Sequence, residues 1–476
     1  MSWIVHLFAA ITLFIGSLFG NHGVPQTAPT PAPAVSEQTQ AYTNTNQQTQ
    51  VYTNANIQPS TSLTALMQQA GCSDQSSCMN TCIKDTTPAC QQLMAAFSGK
   101  GASGASAGGI AYVGNNTPAN AGALPDCPAG TAFFDSLPLK DFTGIEALGH
   151  MNGEHILPSQ GDHVYLLGNA SGPSTVYAPG NATLLAVAES TGIAGADQGT
   201  NTATLYFSPC KSVMFAFQLN SLSPEIQQAL SGISPASEQS GSVIKSVVYG
   251  PLTIPLTSGE RLGTSLPFNS QPSGVDFAAV DVRTEPLQFI DQGEQTGMLA
   301  DSYLHAVCPL DYFSSSLRTQ LYSLLTMKNA GQNGIPPCGT TMQDKPGTVQ
   351  GDWYDMSAPS PAYQGLNESA LLAIGHSNLD ASQGIVSFGT ALLSTSWLGT
   401  QILFTPTHSG MVNREPSEIT ADGAVYCFDG QSGAGGHGPE GHVDIRLDSA
   451  IKMEVDYAPG VCDPVPVLTN PITYTR

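Results

Sequence analysis

Basic residues are scarce in this sequence. Of its 476 residues, 14 are Lys or Arg and 36 are Asp or Glu, which gives a formal net charge of −22 at pH 7. Contacts to nucleic-acid phosphates depend on clustered Lys and Arg side chains, so this composition excludes a nucleic-acid partner. Charged residues of both signs make up only 11% of the chain and hydrophobic residues 41%, which excludes a wholly disordered protein.

Long apolar segments are scarce as well. The one run long enough to span a bilayer is residues 3–20, which excludes a membrane protein with several spanning segments. The run has the length of a signal-peptide core or a short anchor, although no Lys or Arg precedes it. Because a polar linker follows directly, we expect a cleaved signal peptide in residues 1–20, with an uncleaved anchor as the alternative. Only in that second case would the protein contact a membrane, through residues 3–20.

Cysteines occur in an even number and are spread along the chain. This pattern is typical of disulfide-bonded proteins in oxidising compartments, and it predicts an extracellular or cell-surface location. The ten cysteines are Cys72, Cys78, Cys82, Cys90, Cys127, Cys210, Cys308, Cys338, Cys427 and Cys462.

The chain before residue 123 divides by composition into two linkers and a small module. Residues 21–61 are rich in Pro, Thr, Gln and Asn and repeat TQAYTNTN as TQVYTNAN, which is typical of a flexible tether. Residues 99–122 are rich in Gly, Ala and Ser and predict a second linker. Between them, residues 62–98 combine helical spacing of apolar residues with the pattern C-x5-C-x3-C-x7-C. We expect a Cys-rich helical hairpin stapled by disulfides; a zinc site is the alternative, but no His lies nearby.

From residue 123 to the end, short apolar runs alternate with Gly, Pro, Asn and Asp. The runs are β-branched or aromatic, so we predict a mainly β fold of β-sandwich type, in two parts at residues 123–300 and 301–476. The second part contains one predicted helix, Tyr312–Lys328, with leucines at helical spacing. The predicted strands are HVYLL, TLLAVA, ATLYF, SVMFAF, SVIKSVVYG, IVSFG, QILFTP, AVYCF, HVDIRL and IKMEVDY.

The densest group of chemically active side chains lies between Gly149 and Tyr165, and it holds three His, one Glu and one Asp. Imidazole and carboxylate groups are good zinc ligands, but their order is not HExxH, and Gly and Pro argue against a helix here. The segment is therefore either a polar loop that leads into HVYLL or a metal or substrate site. A second pair, His437 and His442, lies in a Gly-rich stretch whose ordering would cost conformational entropy.

The same segment begins a recognisable succession of elements. A His and an Asp lead into a strand at residues 155–165, and an Ala-Pro-Gly turn precedes the strand Thr183–Ala188. A strand pair follows at Ala203–Phe207 and Ser212–Phe217. Over roughly residues 145–285 this succession resembles the M23 metallopeptidases, the lysostaphin-type β-sandwich of the duplicated hybrid motif class. The resemblance implies a β-sandwich built for zinc chemistry.

The metal site of that family is depleted in this sequence. Active members carry a His-x-His pair at the end of such a strand, usually followed by Leu. Here Gln218 precedes Leu219 where a ligand His is expected, and Ala216 stands in place of its partner. The resemblance therefore implies only a remnant metal site. Its residues are His155, Asp162 and His163.

Three functions remain open from the sequence. We expect an exported, surface-tethered β-sandwich protein whose M23-like domain binds a cell-envelope polymer or surface ligand without cutting it and needs no cofactor. The alternative is a zinc-dependent cell-wall peptidase or amidase, with a third ligand such as His305 or His442. Zinc would then polarise a carbonyl and lower the pKa of its bound water to about 7. A structural surface or adhesion protein without a specific ligand is the third.

Overall fold

The structure is a computed structural model. It describes residues 112–113, 117–118, 124–130, 132–151, 156–157, 163–168, 172–192, 202–235, 237–240, 244–268, 271–290, 304–355, 370–389, 400–432 and 441–476. The predicted signal segment, the first linker and the Cys-rich module lie outside the described residues. Within the second predicted linker, strands β1 (Tyr112–Val113) and β2 (Thr117–Pro118) pair antiparallel. No helix in the described ranges is long and apolar enough to cross a membrane.

The first β region contains a main sheet and a smaller one, both antiparallel. The main sheet has the order β10-β11-β6-β7-β8-β15-β4-β3, with β12 beside β6 and β14 beside β15, and the smaller sheet has the order β5-β13-β9. A helix, α1 (Pro224–Leu230), follows β9; the Ser223 side chain caps it by accepting from the Ile226 N–H. The strands are β3 (Gly144–Glu146), β4 (His163–Leu167), β5 (Ser174–Tyr177), β6 (Ala182–Gly192), β7 (Thr202–Cys210), β8 (Val213–Leu219), β9 (Ser221–Leu222), β10 (Ser237–Ser240), β11 (Ile244–Tyr249), β12 (Ile254–Leu256), β13 (Arg261–Ser265), β14 (Pro267–Phe268) and β15 (Gln271–Asp281).

The core of this region lies between the two sheets. Alternate residues of the main sheet, among them Phe217 and Phe277, are fully buried in one cluster with Val176 and Leu262 of the smaller sheet. The Phe217 and Phe277 rings stack with centroids 4.4 Å apart. Each such side chain contributes about 1.5–3 kcal/mol through its burial, so this face of the main sheet is strongly specified. The opposite face of the same strands is consequently free to carry polar residues.

The second β region is one antiparallel sheet of nine strands, in the order β20-β22-β23-β24-β16-β17-β18-β19-β21. Its core is built around Trp353, Phe388, Phe428 and Tyr474, all of them fully buried. The indole N–H of Trp353 donates to the carbonyl of Val349 at 2.9 Å, which satisfies its one buried polar atom. The strands are β16 (Gly351–Asp355), β17 (Leu371–His376), β18 (Gly384–Phe388), β19 (Thr400–Phe404), β20 (Tyr426–Phe428), β21 (Gln431–Ser432), β22 (Gly441–Ser449), β23 (Lys452–Pro459) and β24 (Ile472–Thr475).

The segment that joins the regions packs on the first core. It contains α2 (Ser315–Tyr322) and the 3-10 helices Pro309–Tyr312 and Gln332–Gly334; a third, Pro416–Glu418, precedes β20. The helix predicted over Tyr312–Lys328 is therefore shorter at both ends. Its leucines do pack against the first core, but the Ile145 N–H donates to the carbonyl of Leu324, which draws the chain out of the helix into pairing with β3.

The mainly β prediction is confirmed, and each of the ten predicted runs overlaps a strand. Three disulfides are formed within the described residues, where no cysteine is free. The Cys127–Cys210 bond ties the start of the region to β7, Cys308–Cys338 spans the joining segment, and Cys427–Cys462 anchors the segment after β23 to β20. Each closes a loop and so restricts the unfolded chain.

Candidate functional site

One face of the main sheet carries polar and small side chains. Residues directly opposite each other in adjacent strands share a face, as do alternate residues in one strand. The pairing of β7, β8, β15, β4 and β3 therefore places two rows on the face opposite the core, and we call these residues the polar face. The first row is Thr204, Gln218, Asp276, Tyr165 and Glu146, and the second is Tyr206, Ala216, Ala278 and His163.

His163, a predicted site residue, lies at one end of the second row of this face. Its Nε2 lies 3.7 Å from Oδ1 of Asp276, and its ring stacks on that of His150 with centroids 5.2 Å apart. The Nδ1 of His150 lies in turn 3.7 Å from Oε2 of Glu146. The two imidazole rings are thus stacked, and each lies near a carboxylate.

Burial changes the acid–base behaviour of this group. It raises the pKa of Glu146, an effect that nearby His163 opposes. Burial also raises the pKa of the Tyr165 hydroxyl, and the charges of Asp276 and Glu146 raise it further. Titratable groups with shifted pKa values that gather in one place are typical of functional sites, although structural networks also produce them.

A glycine opposite Tyr165 determines where its ring lies. A Cβ on Gly274 would collide with the ring and hydroxyl of Tyr165, so the ring occupies the space above this glycine. Gly274 and Ala278 lie on opposite sides of Asp276 along β15. The ring is therefore directed away from Ala278.

The second β region supports His150. The side-chain amide of Asn378, just after β17, donates to the carbonyl of Ala147 at 2.9 Å and lies 3.3 Å from Nδ1 of His150. Small apolar clusters surround this contact and contain residues from both regions, for example Ala147 with Ala381. The imidazole pair is thus held where the two regions meet.

The structure separates the other histidines from His163. His305 contacts the carbonyl of Thr284, and buried His376 pairs with Glu415 at 3.1 Å. Exposed His408 pairs with Glu418, and His442 pairs with Asp444. The remaining predicted site residues, His155 and Asp162, lie outside the described residues, as does His437.

No ligand group of three forms around His163 within the described ranges. The one set whose ligand atoms all lie within 4.8 Å of one another there is Cys427, His442 and Asp444. On the polar face, Ala216 and Gln218, which are predicted from the sequence to stand in place of ligand histidines, share one side of the sheet with His163. An alanine side chain has no ligand atom, and an amide binds zinc far more weakly than imidazole.

Sequence reasoning did not single out Asp276 or Glu146. Asp276 lies within an apolar strand between Gly274 and Ala278, and the period-two pattern of that strand identifies a residue pointing away from the core. Glu146 precedes His150 by four residues. Neither pattern predicts which imidazole each acid contacts, because strand pairing determines which side chains become neighbours.

The comparisons add no relative to this picture. No protein-family model matches the chain, and neither a curated protein nor a solved structure matches it. The chemistry of the polar face is therefore the basis for a functional assignment. It offers carboxylate and amide acceptors, imidazole rings and small half-buried side chains, which suit recognition of a ligand rich in hydroxyl or amide donors.

Proposed function

We propose that the protein is exported, is held at the cell surface by its N-terminal segments, and binds an envelope polymer, glycan or peptide, on the polar face of an M23-like domain that does not cut it. The observation that carries this proposal is the row Tyr206, Ala216, Ala278, His163 across four adjacent strands. In that row two small side chains lie between two large ones.

From these side-chain sizes we infer that the row forms a shallow depression. Adjacent strands are separated by about 4.8 Å, so the outer strands of the row lie about 14 Å apart. Ala216 and Ala278 are half-buried and form its floor. Gln218 and Asp276 are adjacent to this floor in the neighbouring row. A sugar ring or an extended peptide could lie over the alanines and donate hydrogen bonds to these acceptors.

Binding without cleavage follows from the side chains at the two key positions. A catalytic zinc ion is usually held by three protein ligands and keeps one position for water. Ala216 supplies no ligand, and Gln218 supplies a weak one. The pair formed by His163 and Asp276 is suited instead to hydrogen bonding with a bound polymer.

Export is supported by the cysteines. The bonds Cys127–Cys210, Cys308–Cys338 and Cys427–Cys462 are typical of proteins from an oxidising compartment. In this proposal residues 1–20 direct export or anchor the chain, and residues 21–61 hold the β regions away from the surface.

Co-sedimentation of the purified full-length protein with insoluble peptidoglycan, chitin and cellulose tests the binding. We expect the protein to sediment with at least one of them. Ala278→Trp fills the depression and should abolish this sedimentation. The matched control is Ala421→Trp, at an exposed position of the second region, which should sediment like the unchanged protein.

Three results would contradict the proposal. Failure to sediment with any of the three polymers would exclude this polymer-binding role. Soluble fragments released from peptidoglycan only when zinc is added would instead establish the zinc peptidase or amidase. Equal sedimentation of Ala278→Trp and Ala421→Trp would place the binding surface elsewhere on the molecule.

A further inference from the structure

A second imidazole–carboxylate group lies on the nine-stranded sheet of the second region. Cys427, Asp444 and Asp456 are directly opposite one another on β20, β22 and β23, and therefore share a face. His442 is two residues before Asp444 and lies on that same face. The intervening Val443 belongs to the core on the other side.

The orientation of His442 leaves one ring nitrogen facing the acid. Its Nδ1 lies 3.1 Å from the carbonyl oxygen of Gly460, which can only accept a hydrogen bond. In the neutral ring, Nδ1 then carries the proton and Nε2 carries a lone pair. That Nε2 lies 3.5 Å from Oδ2 of Asp444, which is longer than a normal hydrogen bond. Metal-binding histidines are commonly fixed by such a bond from the opposite nitrogen to a backbone carbonyl.

Asp444 is short of positive partners. Its side chain is only 5% exposed, and its Oδ1 has no hydrogen-bond partner within the described residues. Asp456 lies directly opposite Asp444 on β23, and the charges of Asp456 and Asp463 both repel that of Asp444. A buried carboxylate is stable only when it is paired, protonated or bound to a metal ion. Here a divalent cation would offset the excess of negative charge.

The spacing of the two ligand atoms fits zinc. Two atoms that bind one zinc ion at about 2.0–2.2 Å in a tetrahedral arrangement are about 3.4 Å apart. The observed separation of His442 Nε2 and Asp444 Oδ2 is 3.5 Å. We propose that His442 and Asp444 form a site for a divalent transition-metal ion of the zinc class.

Cys427 is not a ligand in this proposal. Its sulfur lies within 4.8 Å of the ligand atoms of both residues, but it is bonded to Cys462. Metal binding by cysteine requires the thiolate, which the disulfide excludes. The other coordination positions therefore fall to oxygen ligands such as water, and the site is weaker than a structural zinc site of four protein ligands.

The test is zinc binding by the full-length protein with its disulfides intact. The protein is treated with a chelator, dialysed against zinc chloride, and analysed for bound zinc per chain and for affinity by calorimetry. We expect one zinc ion per chain, and a loss of affinity of at least about tenfold in His442→Gln and in Asp444→Asn. His408→Gln is the matched control, because His408 forms an exposed imidazole–carboxylate pair with Glu418. It should bind zinc like the unchanged protein.

Asp444→Asn separates loss of the site from loss of the fold. This variant removes a charge that is repelled by two other acids, so its melting temperature without metal should rise above that of the unchanged protein. The increase in melting temperature that zinc causes in the unchanged protein should be absent from this variant. A lower melting temperature without metal would show instead that the negative charge of Asp444 stabilises the fold, and would count against the proposal.

Four outcomes would overturn the assignment. The first is that the unchanged protein binds no zinc, and the second is that the variants of His442 and Asp444 bind zinc normally. The third is that zinc binds only after reduction of the Cys427–Cys462 bond. The fourth is that binding is lost in His163→Gln but kept in His442→Gln. The third would assign the ion to the Cys427 thiolate, and the fourth to the polar face.

Discussion

The two β regions each contain carboxylates of two kinds. In the first region the pKa of Asp281 is lowered, whereas that of Glu146 is raised. In the second region the pKa of Glu415 is lowered, whereas that of Asp444 is raised. Burial by itself would raise the pKa of all four acids. The difference between the lowered and the raised values therefore lies in the other groups around each acid.

The lowered pKa values belong to acids with good hydrogen-bond donors. Burial opposes the shift at Asp281, but Arg283 donates to both of its oxygens at 2.8 and 2.7 Å and Tyr312 donates at 2.7 Å. At Glu415, burial is likewise outweighed by His376 at 3.1 Å and by the backbone N–H of Ser417. These carboxylates hold the fold together.

Among these four acids, the two with raised pKa values belong to the candidate sites; burial also raises the pKa of Asp352 and that of Glu189, which lie outside both sites. Glu146 adjoins the imidazole pair of the polar face, and Asp444 adjoins His442. Among these four acids, the supply of hydrogen-bond donors separates the structural pairs from the candidate ligand groups. Mutations that remove an acid of either kind, or its charge, therefore test this difference between the two kinds.

The largest effect is expected at Glu415. Glu415→Ala leaves His376 buried without its carboxylate partner and should lower the free energy of unfolding by about 3 kcal/mol. Urea denaturation at neutral pH measures it. Glu418→Ala removes the acid from the exposed pair with His408 and should cost less than about 1 kcal/mol. Equal losses would show that burial does not distinguish the two pairs.

A smaller effect is expected at Asp281. Asp281→Asn should lower the free energy of unfolding by about 2 kcal/mol at pH 7, because hydrogen bonds to a charged group are replaced by neutral ones. Since its pKa is lower in the folded state, the stabilisation is present above the unfolded value of about 4 and is lost as pH falls through the folded value.

Melting curves between pH 7 and about 3 measure this dependence. The variant should lose less stability on acidification than the unchanged protein. Asp126→Asn, which removes the exposed partner of Lys211, serves as the control. Lys211 also lowers the pKa of Asp126, but solvent weakens this exposed pair, so the variant should stay close to the unchanged protein. An Asp281→Asn curve that runs parallel to the unchanged one would contradict the assignment of this linkage to Asp281.

The smallest effect, of opposite sign, is expected at Glu146. Glu146→Gln keeps the shape of the side chain and removes a charge that burial disfavours. The free energy of unfolding at pH 7 should rise by less than about 1 kcal/mol. Guanidinium denaturation measures it. A fall would show that the pair formed by Glu146 and His150 is structural, like that of Glu415 and His376.

The strands of this fold are predictable because their signal is local. In HVYLL and SVMFAF, alternation places one set of side chains in the core and the other outside it, whatever the partner strand. The helix was less predictable. Leucines at helical spacing continue to Leu325, but Leu324 and Leu325 pair with Ile145, and this contact ends the helix earlier.

The candidate sites were only partly predictable. The sequence predicts that His163 is a potential ligand, and the M23 resemblance, which stays a prediction, would make Ala216 and Gln218 replacements for ligand histidines. It does not connect His163 with Asp276, because they lie in strands far apart in the chain that become neighbours only through the pairing of β15 with β4. Nor does it indicate that Asp444 is buried near Asp456 and Asp463.

Residue types and their spacing alone determined three properties. These are the mainly β character, the preference of the cysteines for an oxidising compartment, and the face of each strand that enters a core. These properties depend on neighbours within a few positions. The folded arrangement alone assigned His150 to His163, Asp276 to His163 and His442 to Asp444, and set the degree of burial of each acid. The reason is that cross-strand register and the exclusion of water depend on contacts between distant segments. A short stretch of sequence does not specify these contacts.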